Sequence, residues 1–139
     1  MEISVVRQRL NETIGRAKRR AAERRARADD AGRAYERFLE HTAVPLFRQL
    51  VNVLRADGYQ FSLFTPSGSV RLMSDRHAED FIEVLLDTTG DHPFVVGHTS
   101  RSRGRRVDES ERELGDPATL GEEELLAFVL RELEPFVER

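Results

Sequence analysis

Four arginines stand in a run of six residues: Arg101, Arg103, Arg105 and Arg106. Clustered guanidinium groups bind phosphate through charge-assisted, forked hydrogen bonds. Phosphate contacts in turn supply much of a protein's affinity for nucleic acid. These four are the candidate contacts for an anion or a nucleic acid. The competing reading is a charged hairpin tip that keeps an edge strand from pairing with other chains. No base-reading motif accompanies them: there is no aromatic stretch of the RNA-binding type, no zinc finger and no clear helix-turn-helix.

A second basic run, "RAKRRAAERRARA" at residues 16–28, carries seven basic side chains and one acid. On a helix these charges scatter nearly all the way round. A helix laid along phosphates concentrates charge on the side that touches, so the scatter favours a solvated arm. Two such arms, parallel and in register, would bring like charges together. An antiparallel pairing removes that repulsion, as does pairing with the Glu-rich C-terminal helix of another chain.

The other reactive residue types exclude more than they offer. His41, His77, His92 and His98 show no metal-ligand spacing, and no His-Glu-x-x-His occurs. Asp87, Asp91 and His92 form a small acidic cluster in "DTTGDH", which reads as a polar hairpin turn. Cysteine is absent, so thiolate metal sites and disulfides are excluded. There is no Gly-x-Ser-x-Gly elbow, no phosphate-binding Gly-Lys-Ser/Thr loop and no Gly-x-Gly-x-x-Gly. Glu122 and Glu124 stand at an expected helix start, where the macrodipole accounts for them. Nothing here requires an enzyme; no catalytic residue, metal or cofactor is nominated.

Composition narrows the field further. Aromatic residues make up 7% of the chain, too few for a stacking platform, and the net charge of −3 points to no polyanion. The charge is unevenly spread: residues 108–139 hold eleven acids against three bases. Arginine outnumbers lysine 21 to 1, which codon bias in a GC-rich genome explains and which weakens any claim that each arginine was selected for its geometry. No apolar run approaches the ~18–20 residues that span a bilayer. The start "MEISVVRQRL" lacks the basic and long apolar regions of a secretory signal. Glu2, Glu12, Glu23, Asp29 and Asp30 speak against a transit peptide. The expectation is a cytoplasmic protein with no membrane partner.

The elements that would carry these residues follow from period and punctuation. Leu10, Ile14, Ala17, Ala21, Ala28, Ala31, Tyr35 and Phe38 recur in alternating steps of four and three, with Arg24 in the one polar slot. That 3.5-residue repeat is the pattern of a coiled-coil seam. These residues are the candidate partner or oligomer contact. Ser4 is placed to cap a helix from Val5. At Pro45 either Thr42 caps a new helix or the first helix continues with a kink. Leu46, Phe47, Leu50, Val51, Val53 and Leu54 give an apolar face that closes at Gly58.

Residues 59–74 then read as a hairpin around "TPSGS". Residues 78–89 fit either a helix or a strand. The strand is favoured, because β-branched residues cluster there and "TTGDHP" makes a good loop into "FVVGHTS". A polar fifth strand, about 105–113, is expected at an edge or as a partly ordered arm. Thr119 and Glu122 suit a capping box. Leu125, Leu126, Val129, Leu130 and Leu133 make one helical stripe, which Pro135 ends or bends.

The expected fold is α+β: a long N-terminal helical arm over residues 1–40, then a domain over 41–139. That domain comprises a second helix, an antiparallel meander of four or five strands within 59–113 and a C-terminal helix. One sheet face should present Phe61, Leu63, Val70, Leu72, Ile82, Val84 and Val96 to the helices. Phe64, Met73, Phe81 and Leu85 fall on the other. The function expected is a non-catalytic interaction or scaffold protein. It would self-associate or dock a protein partner through the N-terminal helix and the sheet. The alternative is a nucleic-acid-associated protein using the basic arm and the arginine hairpin tip.

Overall fold

The alternation of period two between residues 61 and 115 becomes a five-stranded antiparallel sheet in the computed structural model, which describes residues 1–138. Its strands are β1 (Phe61–Phe64), β2 (Val70–Ser74), β3 (Phe81–Asp87), β4 (Phe94–Arg103) and β5 (Arg106–Gly115). They pair in chain order, so β1 and β5 are the edges. Before the sheet run α1 (Ile3–Phe38), a π-helical turn (Leu39–Ala43) and α2 (Val44–Ala56); α3 (Glu122–Val137) follows it. Residues 78–89 thus contribute strand β3, where Ile82 and Val84 are fully buried. The arrangement is α+β, as the sequence implies; Arg139 lies outside the described residues.

The first helix starts at Ile3, earlier than expected. Glu2 is its N-cap, with no side-chain cap bond, and Ser4 lies inside the first turn. Of the two readings at Pro45, the continuation is what forms. Proline lacks an N–H, and its ring crowds the carbonyl four residues back. The π-helical turn meets this by widening the helix just ahead of Pro45. Ala43 within it is fully buried, so the widened turn faces the core. The α2 C-terminus closes as read: Gly58 has φ of +91°. Tyr59 N–H donates to Leu54 O at 2.8 Å and Gly58 N–H to Arg55 O at 3.1 Å, a Schellman closure.

All three helices pack on one sheet face. Phe47, Leu72, Ile82, Leu125 and Val129 are fully buried in a single cluster, which Tyr35 and Phe38 of α1 join. Register corrects one inward assignment. Val96 sits opposite Leu85 and faces outward, while Val95, opposite Leu86, faces in. The inner residues of β4 are therefore Val95, Gly97 and Thr99, a small and a polar residue that disguise the pattern. Gly97 leaves room for an aromatic ring: a Cβ there would lie 2.2 Å from Phe128 Cζ.

The cap of α3 differs from expectation, and one of the two readings at Pro135 is removed. Gly121, not Thr119, is the N-cap, and its N–H donates to Glu124 Oε2 at 3.0 Å. Residues 116–120 turn on the Asp116 carbonyl, which delays the helix. Pro135 does not end α3. The helix runs on to Val137, and Phe136 beyond the proline is buried edge-on against Phe61 at 6.1 Å. That burial opposes the break a proline would otherwise impose.

Candidate interaction surfaces

The seam residues fall into two environments. Tyr35 and Phe38 belong to the chain's own core. The Tyr35 hydroxyl lies 2.9 Å from Gly68 O and 3.2 Å from Val84 O, so one proton serves two carbonyls. Burial raises its pKa well above the ordinary tyrosine value, and the Glu83 carboxylate adds to the shift. Ala28 and Ala31 are half-buried, with Ala31 beside His92 and Pro93. Arg27 Nε donates to Asp91 O at 2.7 Å. Ahead of Arg27, side-chain hydrogen bonds stay within the helix, as in Gln8 to Glu12 and Arg16 to Thr13. Leu10 is 55% exposed and Ile14 42%, with Ile3 and Val6 also open to solvent. Ala17 is exposed and Ala21 half-buried. One repeat therefore anchors the helix at its C-terminal end and leaves an apolar stripe uncovered at its N-terminal end.

The arginine hairpin joins β4 to β5 through a turn at Gly104, with Arg103 opposite Arg106. Asp108 stands between these two, 3.4 Å from Arg103 and 3.3 Å from Arg106. Two of the four guanidiniums are thus partly neutralised. The side chains of Arg101 and Arg105 make no hydrogen bond or ion pair among the described residues. Arg101 is half-buried and lines an open cleft of about 650 Å³ with His77, Arg103 and Pro135, where Glu138 supplies an opposing charge. The four side chains share a hairpin but do not converge on one point.

A third cluster, not anticipated from the sequence, lies on the outer face of the sheet. Glu83 of β3 is 6% exposed although it stands on the face no helix covers. Arg71 of β2 lies alongside, with Nε and Nη2 each 2.9 Å from Glu83 Oε2, and Ser69 Oγ donates to the same oxygen at 3.2 Å. The Arg71 guanidinium also covers the Phe81 ring at 4.0 Å. His98 of β4 meets Phe81 edge-on at 5.3 Å, and its Nε2 lies 3.4 Å from Glu109 Oε1. The buried carboxylate is therefore charge-paired and hydrogen-bonded, as a buried ion must be. Beside it the face carries Phe64, 44% exposed, together with partly exposed Met73 and Leu85. Along edge strand β5, Glu109, Glu111 and Glu113 alternate on this same face, opposite Ser100, His98 and Val96.

The remaining polar groups serve the fold. Buried Asp80 accepts from Ser102 N–H at 2.7 Å and Ser102 Oγ at 2.9 Å, tying the β2–β3 loop to β4. Hydrogen bonds from the Thr89 hydroxyl and N–H hold the Asp87 carboxyl below its usual pKa. Among the described residues no three His, Asp or Glu side chains come together as metal ligands. No described helix is long and apolar enough to cross a membrane. Compared with protein-family models, curated proteins and solved structures, the chain shows no match to any of them.

Proposed function

We propose that this chain is a non-catalytic interaction protein that self-associates through the free part of α1. The observation that carries the reading is the uncovered stripe of Ile3, Val6, Leu10 and Ile14. It lies on a helical overhang, residues 3–26, that is roughly 36 Å long at about 1.5 Å per residue. A helix of that length without packing is marginal in water, and a partner lying along the stripe would stabilise it. Light scattering tests this directly. The intact chain should run as a dimer or larger at micromolar concentration, and a chain lacking residues 1–26 as a monomer. An intact chain that stays monomeric at high micromolar concentration removes the reading.

A second reading, nucleic-acid association, is supported by the unpartnered guanidiniums of Arg101 and Arg105 and by the basic overhang. It predicts salt-sensitive binding to DNA or RNA that weakens when Arg101 and Arg105 become Ala. Against it, Glu109, Glu111 and Glu113 leave the hairpin tip on the same strand and repel phosphate. No retention on either nucleic acid at low salt would dispose of it.

A further inference from the structure

We infer that the overhang of α1 docks on the outer sheet face of a second copy of this chain, an assignment that rests on the self-association reading above. The charge around the stripe selects the partner. At about 100° per residue, the stripe through Ile3, Val6, Leu10, Ile14 and Ala17 is interrupted by Arg24 and flanked by Arg7, Lys18, Arg20 and Arg25. Glu12 and Glu23 fall on the opposite side, and Glu2, at the N-cap, shares the flank of Arg20. Two overhangs laid parallel and in register would therefore set cation against cation; laid antiparallel, residues 18–25 of each would face residues 4–11 of the other, which carry Arg7 and Arg9 and no acid. A surface that is apolar with acids beside it matches the overhang better than a second overhang does.

The outer sheet face has that composition. Phe64, Met73, Leu85 and Val107 supply partly or fully exposed apolar surface. Asp87 and the row Glu109, Glu111, Glu113 supply the acids, while Glu83 is already neutralised by Arg71. The exposed side of α3 matches less well, because its one large exposed apolar residue, Leu130, is followed by Arg131. Size agrees as well. Strand β5 has ten residues, and at about 3.3 Å per residue it is roughly as long as the overhang. An overhang about 10 Å wide covers roughly 360 Å². If two copies exchange overhangs, each contributes one helix and one sheet face, roughly 700 Å², near the ~800 Å² per partner of a standard interface.

Charge reversal tests the assignment by light scattering, with circular dichroism melts to confirm that each variant folds. The first variant carries Lys18→Glu, Arg20→Glu and Arg24→Glu; the second carries Glu109→Lys, Glu111→Lys and Glu113→Lys. If the second fails to fold, Glu111→Lys alone replaces it. Each variant alone should associate roughly tenfold or more weakly than the native chain. An equimolar mixture should recover association, because each reversed overhang then meets a reversed sheet and each native overhang a native one. If the sheet variant associates like the native chain while the overhang variant does not, the overhang docks elsewhere: this assignment fails and the self-association reading stands. Loss in both variants without recovery in the mixture also overturns it. A native chain that is monomeric throughout defeats both.

Discussion

Gly97 and Phe128 occupy one site between them. With the glycine's missing Cβ only 2.2 Å from the ring, Gly97→Ala forces the ring off its position or the helix off the sheet. Overpacking of this kind costs about 1–3 kcal/mol, and urea denaturation should show a loss of that size. Adding Phe128→Leu to Gly97→Ala should recover part of it, which a non-steric cause would not allow. Thr99, two residues on, argues the opposite way. Its hydroxyl is buried with no hydrogen-bond partner among the described residues. Thr99→Val keeps the shape and removes the desolvated group, so it should stabilise by about 1 kcal/mol; a loss instead would mean the hydroxyl is bonded. Tyr35 gives a pH signature. Its folded pKa is raised above the unfolded value of about 10. Its contribution is therefore complete below that pH and declines as pH rises beyond it, since the unfolded chain gives up a proton the folded one retains. Tyr35→Phe should flatten that alkaline decline and cost about 1 kcal/mol at neutral pH. If the slope is unchanged, other groups produce it.

At the scale of elements, periodicity located the helices and most strands but could not name their neighbours. The 3.5-residue repeat marks one side of α1 from Leu10 to Phe38. It cannot say that Tyr35 and Phe38 meet their own sheet while Leu10 and Ile14 meet solvent, because nothing in local spacing encodes where a helix overhangs its domain. Strand β4 shows a related limit. The true inner set of Val95, Gly97 and Thr99 looks less apolar than the outer one, since Phe128 fills the space of a missing side chain. The arginine hairpin could be seen because its residues are adjacent. The Arg71–Glu83–His98 cluster could not, because it spans three strands and exists only once their register is set; its one sequence trace is a glutamate inside the apolar "FIEVLL". The division of α1 carries its own prediction. Removing residues 1–26 should leave the melting temperature of the monomer unchanged within error, measured dilute enough that association adds no stability by mass action. A clear drop would show that the overhang packs on its own domain.

For the whole molecule, the deciding feature is the separation of charge. Residues 1–27 carry nine basic and three acidic side chains, a net of +6, and residues 28–139 a net of −9, giving the chain its −3. Such a molecule repels itself when like ends meet and attracts itself when basic overhang meets acidic body. Ionic strength distinguishes the two arrangements. The Debye length falls from about 10 Å at 0.1 M to about 3 Å at 1 M, so added salt weakens the attraction in one case and relieves the repulsion in the other. Overhang-to-body association should therefore loosen as salt rises from low to molar concentration, retaining the part due to buried apolar surface, which salt does not screen. Overhang-to-overhang association should tighten over the same range. Sedimentation of nucleic-acid-free protein across a salt series reads this sign without any mutation. Tightening with salt would count against every arrangement in which the acidic body receives the basic helix.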